Sequence, residues 1–181
     1  FWWGEQPQVY VKHDHLYLQD SKAVPKYQVL NPSETYLNGL RQSTEPMDNG
    51  DHTDYMRDSG YQPAIGPLPK WDATYLVSAD PRAYRSVLAN ADGAADYAAH
   101  YRDRHTGRPI SIADHPTATL RDNSVPKAKT ENPHTLDQAH QPSMGYLAYL
   151  ITGDYFYLEE LQFWATWNFL FTHARDVRHL E

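Results

Sequence analysis

The sequence predicts a mainly α fold, an array of αα-hairpins with long loops and a small N-terminal β-hairpin. A helix–stop–helix pattern near the C-terminus and its echo 74 residues earlier carry the helical part. Short β-prone runs before residue 27 carry the β part.

Residues 1–27 hold Val9-Tyr10-Val11 and His15-Leu16-Tyr17-Leu18 on either side of Lys12-His13-Asp14. β-Branched and aromatic runs flanking a polar turn predict a hairpin. On a strand His13 and His15 would share a face, as two zinc-binding imidazoles do. A polar hairpin tip is the plainer reading, and no metal site is assigned. Residues 28–66 are loop-rich. Residues 32–39 can hold one helical turn, and Asp48-Asn49-Gly50-Asp51 is turn chemistry.

Residues 67–101 form the first helical hairpin. Pro67-Leu68-Pro69 opens a helix carrying Trp71, Leu76 and Val77, and residues 78–80 stop it. Tyr84, Val87, Leu88 and Ala91 recur at helical spacing on its partner. That helix is expected to continue from Ala94 to Tyr101 past a kink at Asp92-Gly93. Residues 102–136 are a long connection, with Ile110-Ser111-Ile112 a candidate short strand.

Residues 137–181 form the second helical hairpin. A helix is expected from about His140 to Thr152, with Met144, Leu147, Leu150 and Ile151 on one stripe. Gly153, lacking a Cβ, can take the left-handed conformation that ends a helix. Asp154 suits the N-cap of the next, where its carboxylate accepts from free backbone N–H groups. Leu158, Leu161, Trp164, Ala165, Phe169 and Leu170 line that helix, which frays toward His173 and His179.

Residues 75–80, Tyr-Leu-Val-Ser-Ala-Asp, align without gaps on residues 149–154, Tyr-Leu-Ile-Thr-Gly-Asp. In the earlier copy Asp80 is the cap and Pro81 takes the first helical position, where a missing N–H costs nothing. Two copies of one unit suggest a helical array.

Composition narrows the function. A net charge of -7 excludes an electrostatic nucleic-acid footprint. No apolar run reaches the roughly 18 residues of a membrane span. With no Cys, disulfides and thiolate metal sites are ruled out. Tyrosine is abundant, at 14 residues, and suits core edges and sugar-lined clefts alike. The start at Phe1-Trp2-Trp3 and the small number of hairpins lead us to expect part of a larger protein.

The first helices of the two hairpins place equivalent N-termini on one side. Those ends carry Lys70, Trp71 and Asp72 in one copy, and Asp137, His140, Gln141 and Tyr146 in the other. Helix N-termini suit carboxylate or sulfate groups. Trp71 could stack on a sugar, His140 serve as general acid or base, and Tyr146 give a proton. N-capping by Asp137 and core-edge packing by Trp71 and Tyr146 are the plainer readings. A second cluster joins His100 and Arg102 with Tyr101, Asp103, His105 and Arg108. Imidazole and guanidinium there could abstract a proton beside a carboxylate, or form a solvated loop with ion pairs. Glu159-Glu160 reads as surface charge. No Gly-rich phosphate loop, Gly-x-Ser-x-Gly elbow or zincin His pair occurs in the sequence, and no cofactor is expected.

The stretch from Tyr149 to Glu159, with Asp137 to Pro142 before it, resembles the helix junction of (α/α)-toroid proteins, the six-hairpin glycosidases and toroid polysaccharide lyases. The resemblance covers about 25 residues and the weaker copy at 71–88. It implies a partial α/α toroid with a cleft at inner-helix N-termini, a polysaccharide or oligosaccharide partner, and a secreted or periplasmic setting. The lyases use Asn, His, Tyr and Arg in that cleft, and the glycosidases Asp or Glu pairs. A complete toroid needs six hairpins, far more chain than 181 residues. The expected function is therefore polysaccharide cleavage or binding. Its rival is a non-catalytic structural or interaction module of a larger surface or phage-associated protein.

Overall fold

The computed structural model describes residues 3–5, 9, 12–48, 50–52, 63, 66–97, 99–111, 113–115 and 143–171. Among these the fold is mainly helical and holds no β-strand. No described helix is long and apolar enough to cross a membrane.

The expected N-terminal hairpin is replaced at one arm by helix α1, His15–Asp20. Asp14 caps it, accepting from the Tyr17 N–H at 3.0 Å. An alternating run this short fits one helical turn as well as a strand, and the cap decides. Residues 10 and 11 of the other arm lie outside the described residues. His13 sits just before α1. One ring nitrogen meets the Tyr75 hydroxyl at 2.7 Å, and the other meets the Ile151 carbonyl at 2.8 Å. A carbonyl only accepts, so Nε2 carries a proton there, and in the neutral ring Nδ1 accepts from Tyr75.

The expected turn in residues 32–39 is helix α2, Glu34–Asn38, capped by Ser33. Helix α3, Lys70–Ser78, and helix α4, Pro81–Gly93, follow as the first pair. Arg82 of α4 holds α2 in place by bonding Glu34 and Asn38 as well as its own Asp80. The loop before residue 53 is pinned to α4: the Asp51 N–H donates to Asn90 Oδ1 at 2.6 Å, and Thr44 donates to the Ala89 carbonyl. Arg41 gathers that loop by pairing with Asp48 and Asp51.

Past α4 the chain does not run helically to Tyr101. A 3-10 turn at Ala94–Asp96 gives way to extended backbone at Tyr97. Residues 101–110 then fold back on themselves, with a single bridge between Arg102 and Pro109 and no strand. Ile112 lies outside the described residues.

The second pair is helix α5, Tyr146–Thr152, and helix α6, Tyr155–Phe171. Here α5 starts later than the stripe suggests. Gly145 is left-handed at φ +79°, so no helix runs through it from His140. Met144 is nonetheless buried, from a turn rather than from a helix.

Both pairs turn by one set of bonds. Ala79 and Gly153 are left-handed, and each donates its N–H to the carbonyl four residues back at 2.8 Å. Ser78 and Thr152 bond the carbonyls of Thr74 and Ala148, and accept from the N–H of Asp80 and Asp154. Asp80 and Asp154 then cap the next helix, accepting from Arg82 and Phe156.

One core joins α3, α4 and α5 through Tyr75, Leu76, Val87, Leu147 and Ile151, reaching Tyr157 of α6. Full burial of Leu76 and Leu147 contributes roughly 2 kcal/mol each. A second cluster packs Tyr97 and Met144 against Trp164 and Trp167 of α6. On α6 the buried stripe is offset from expectation: Ala165 is exposed, while Glu160 and Thr166 are buried.

Candidate functional site

A surface groove runs between α2 and α3. It consists of two adjoining hollows of about 540 and 370 Å³ that share Tyr36, Pro63 and Lys70. Leu30, Pro32 and Val77 give the larger hollow an apolar floor. Asp51 and Trp71 line the smaller.

Local chemistry builds the ridge between the hollows. Pro69 starts α3 without a side-chain cap, leaving Lys70 at its first position. Ser33 caps α2 by accepting the Tyr36 N–H, which fixes the Tyr36 backbone. The Lys70 ammonium lies 4.7 Å from the centre of the Tyr36 ring, a cation–π contact. Thr74 Oγ1 donates to the Lys70 carbonyl at 2.7 Å, so the Tyr36 hydroxyl donates to Thr74 at 3.0 Å. Among the described residues no carboxylate pairs with Lys70.

Trp71 is not an exposed stacking platform. At 5% exposure it packs edge-on against His52, with ring centres 4.8 Å apart. Burial pushes the His52 pKa down to about 4, so the ring is neutral near pH 7. His52 donates from Nε2 to the Asn90 carbonyl at 3.0 Å, and its buried Nδ1 has no hydrogen-bond partner among the described residues. Beside Trp71, Asp72 is buried on the core side of α3, and desolvation raises its pKa well above the usual carboxylate range.

His100 and Arg102 lie elsewhere, where the segment after α4 meets α6. His100 Nε2 is 2.9 and 3.1 Å from the two oxygens of Glu160. That bond holds the imidazole pKa above its ordinary value against the opposing effect of burial. Arg102 forks onto Glu159 with both bonds at 3.1 Å and covers the Phe163 ring. The bond from Arg102 lowers the Glu159 pKa. Glu160 is 4% exposed, which corrects its reading as surface charge. These groups are spent on one another, and neither hollow of the groove includes them.

Tyr146 does stand at the first position of α5, but its hydroxyl donates to the Ala23 carbonyl at 2.7 Å and ties down the N-terminal segment. Asp137, His140 and Gln141 lie outside the described residues. Of the expected residues, Lys70 and Trp71 come together on the groove, and His100 and Arg102 on α6. Sequence reasoning missed Tyr36 and Glu160. Tyr36 follows Ser33 at the spacing of an N-cap bond, a signal that places its backbone but not its ring. Glu160 shares a helical face with Tyr157 and Trp164, a stripe that its charge disguised.

The class these features define is a mainly helical protein whose described residues hold two helix pairs, with a Lys–Tyr-ridged groove on the first. Beyond that class the comparisons add no relative: no family model, curated protein or solved structure matches the chain.

Proposed function

We propose that this protein binds an acidic polysaccharide or oligosaccharide in the groove at the α3 N-terminus, as part of a toroid-like carbohydrate-active protein. The observation that supports this reading is the Lys70 ammonium resting on the Tyr36 ring at the ridge shared by both hollows. An acidic sugar needs an aromatic surface for its C–H face and a cation for its carboxylate. Lysine's flexible four-carbon stem lets the ammonium swing from the ring to a ligand carboxylate, which frees the ring for the sugar.

Binding is favoured over cleavage by the state of the other candidates among the described residues. His100, Arg102 and Tyr146 each hold a bond that joins two parts of the fold. The same observation favours the rival reading, a non-catalytic interaction module.

Calorimetric titration with uronic-acid oligomers and with neutral glucans tests the proposal. Uronic oligomers should bind, and Lys70→Ala should weaken them about tenfold, the loss of one charge-assisted contact. Equal affinity for neutral glucans would remove the role of charge. No binding to either would leave the interaction-module reading. Ultraviolet absorbance from an unsaturated uronate product would add lyase chemistry.

A further inference from the structure

Glu160 is a buried carboxylate on a helix face whose neighbours are aromatic. A carboxylate in such a place is costly unless a cation partners it. Its partner, His100, comes from 60 residues away and keeps its side chain about a third exposed, at 32%. The imidazole stands edge-on to Phe163 with ring centres 4.6 Å apart. The Arg102 guanidinium lies 4.5 Å from the centre of the same ring while forking onto Glu159. Further along α6, Thr166 donates to the Ile110 carbonyl at 2.5 Å. Residues 99–111 are thus held on one face of α6 over Phe163, which is 1% exposed.

We infer that His100 and Glu160 form a proton-operated latch. With the imidazole charged, the segment stays closed over Phe163. With it neutral, Glu160 loses its bonded counter-charge and keeps only the through-space pull of Arg102, whose bonds go to Glu159, and the segment lifts at that end. The charged groups facing His100 are Glu160 and Glu159 on α6 and Arg102 on its own segment, together with the Tyr97 carbonyl. The Glu160 bond is the largest influence and raises the pKa. The Tyr97 carbonyl raises it too, while burial and Arg102 oppose. A raised pKa means the stabilisation is fully present below the ordinary value of 6.5 and is lost as pH rises through the higher folded value. The latch is therefore shut in mild acid and opens toward alkaline pH. His115 also pairs with a carboxylate, but Asp103 belongs to the same segment, so that pair does not reach α6.

Trypsin cleavage after Arg102 and Arg104 reports opening, each rate being referred to an unfolded peptide with the same sites. Relative cleavage should rise about tenfold from about pH 6 to about pH 9, the size of one charge-assisted bond lost. Glu160→Gln should make the profile flat, and His115→Gln should keep the rise. A flat profile in the unsubstituted protein, or an undiminished rise in Glu160→Gln, overturns the latch. Should Glu160→Gln fail to fold, the Hε1 resonance of His100 in the unsubstituted protein decides. A midpoint above 6.5 supports the latch, and one at or below 6.5 overturns it.

Discussion

The turn between α3 and α4 and the turn between α5 and α6 make the same bonds, yet they present different faces to the core. Tyr75 and Leu76 are fully buried, whereas Tyr149 and Leu150, 74 positions later, are half-buried. One step along, the order reverses: Val77 is half-buried and Ile151 is buried. The buried stripe of α5 is shifted by about one residue against that of α3, roughly 100° around a helix, whereas α4 and α6 bury equivalent positions such as Ala83 and Tyr157. Capping chemistry fixes how a helix pair turns, because its bonds lie within four residues of each other. It leaves open which stripe is buried, because that depends on neighbouring elements.

The largest test of this contrast is leucine truncation. Leu76→Ala should cost about 3 kcal/mol, the price of a cavity in a closed core. Leu150→Ala should cost about 1 kcal/mol, in line with partial burial. Urea titration of both variants checks this, and equal losses would mean that the two faces are equivalent. Cap removal should separate the turns less. Asp80→Ala should cost up to about 2 kcal/mol and Asp154→Ala about 1 kcal/mol, since both lose an N-cap bond but Asp80 also holds Arg82. Thermal melts that rank them in the opposite order would deny Arg82 its part in anchoring α2.

The smallest effect bears on the one chemical difference within the turns. Ala79 holds φ +53° where the later copy has glycine at φ +70°. Ala79→Gly should stabilise by about 0.5 kcal/mol through relief of left-handed strain. Gly153→Ala should destabilise by about 1 kcal/mol through backbone strain alone, because an added Cβ meets nothing within 4 Å. Equal and opposite shifts in melting temperature would make the turns interchangeable.

The caps at Asp80 and Asp154 and both stops were legible in the sequence because each is a local bond between near neighbours. What depends on distant partners was not. Residues 15–18 carry a strand-like pattern, and the Asp14 cap makes them a helix. Met144 matches the α5 stripe from beyond Gly145, where the backbone conformation breaks the helix. Trp71 offered an aromatic surface, but His52 covers it from a loop in the preceding region. Glu160 looked solvated because His100 is 60 residues away in sequence. The groove was legible only through Lys70 and the start of α3. Its other wall comes from α2 and the loop around Leu30.

The two bonds of His13 bear on the order of assembly. They reach across 62 and 138 sequence positions, whereas each helix pair closes over a two-residue turn. Contacts between near neighbours form early, and a link this distant closes only after the intervening chain has been drawn in. His13→Ala should then speed unfolding in stopped-flow mixing and leave the refolding rate unchanged. A slowed refolding rate would instead place His13 in the folding nucleus. The strap at His13 therefore sets how long the assembled protein survives, while the two turns set how quickly it forms.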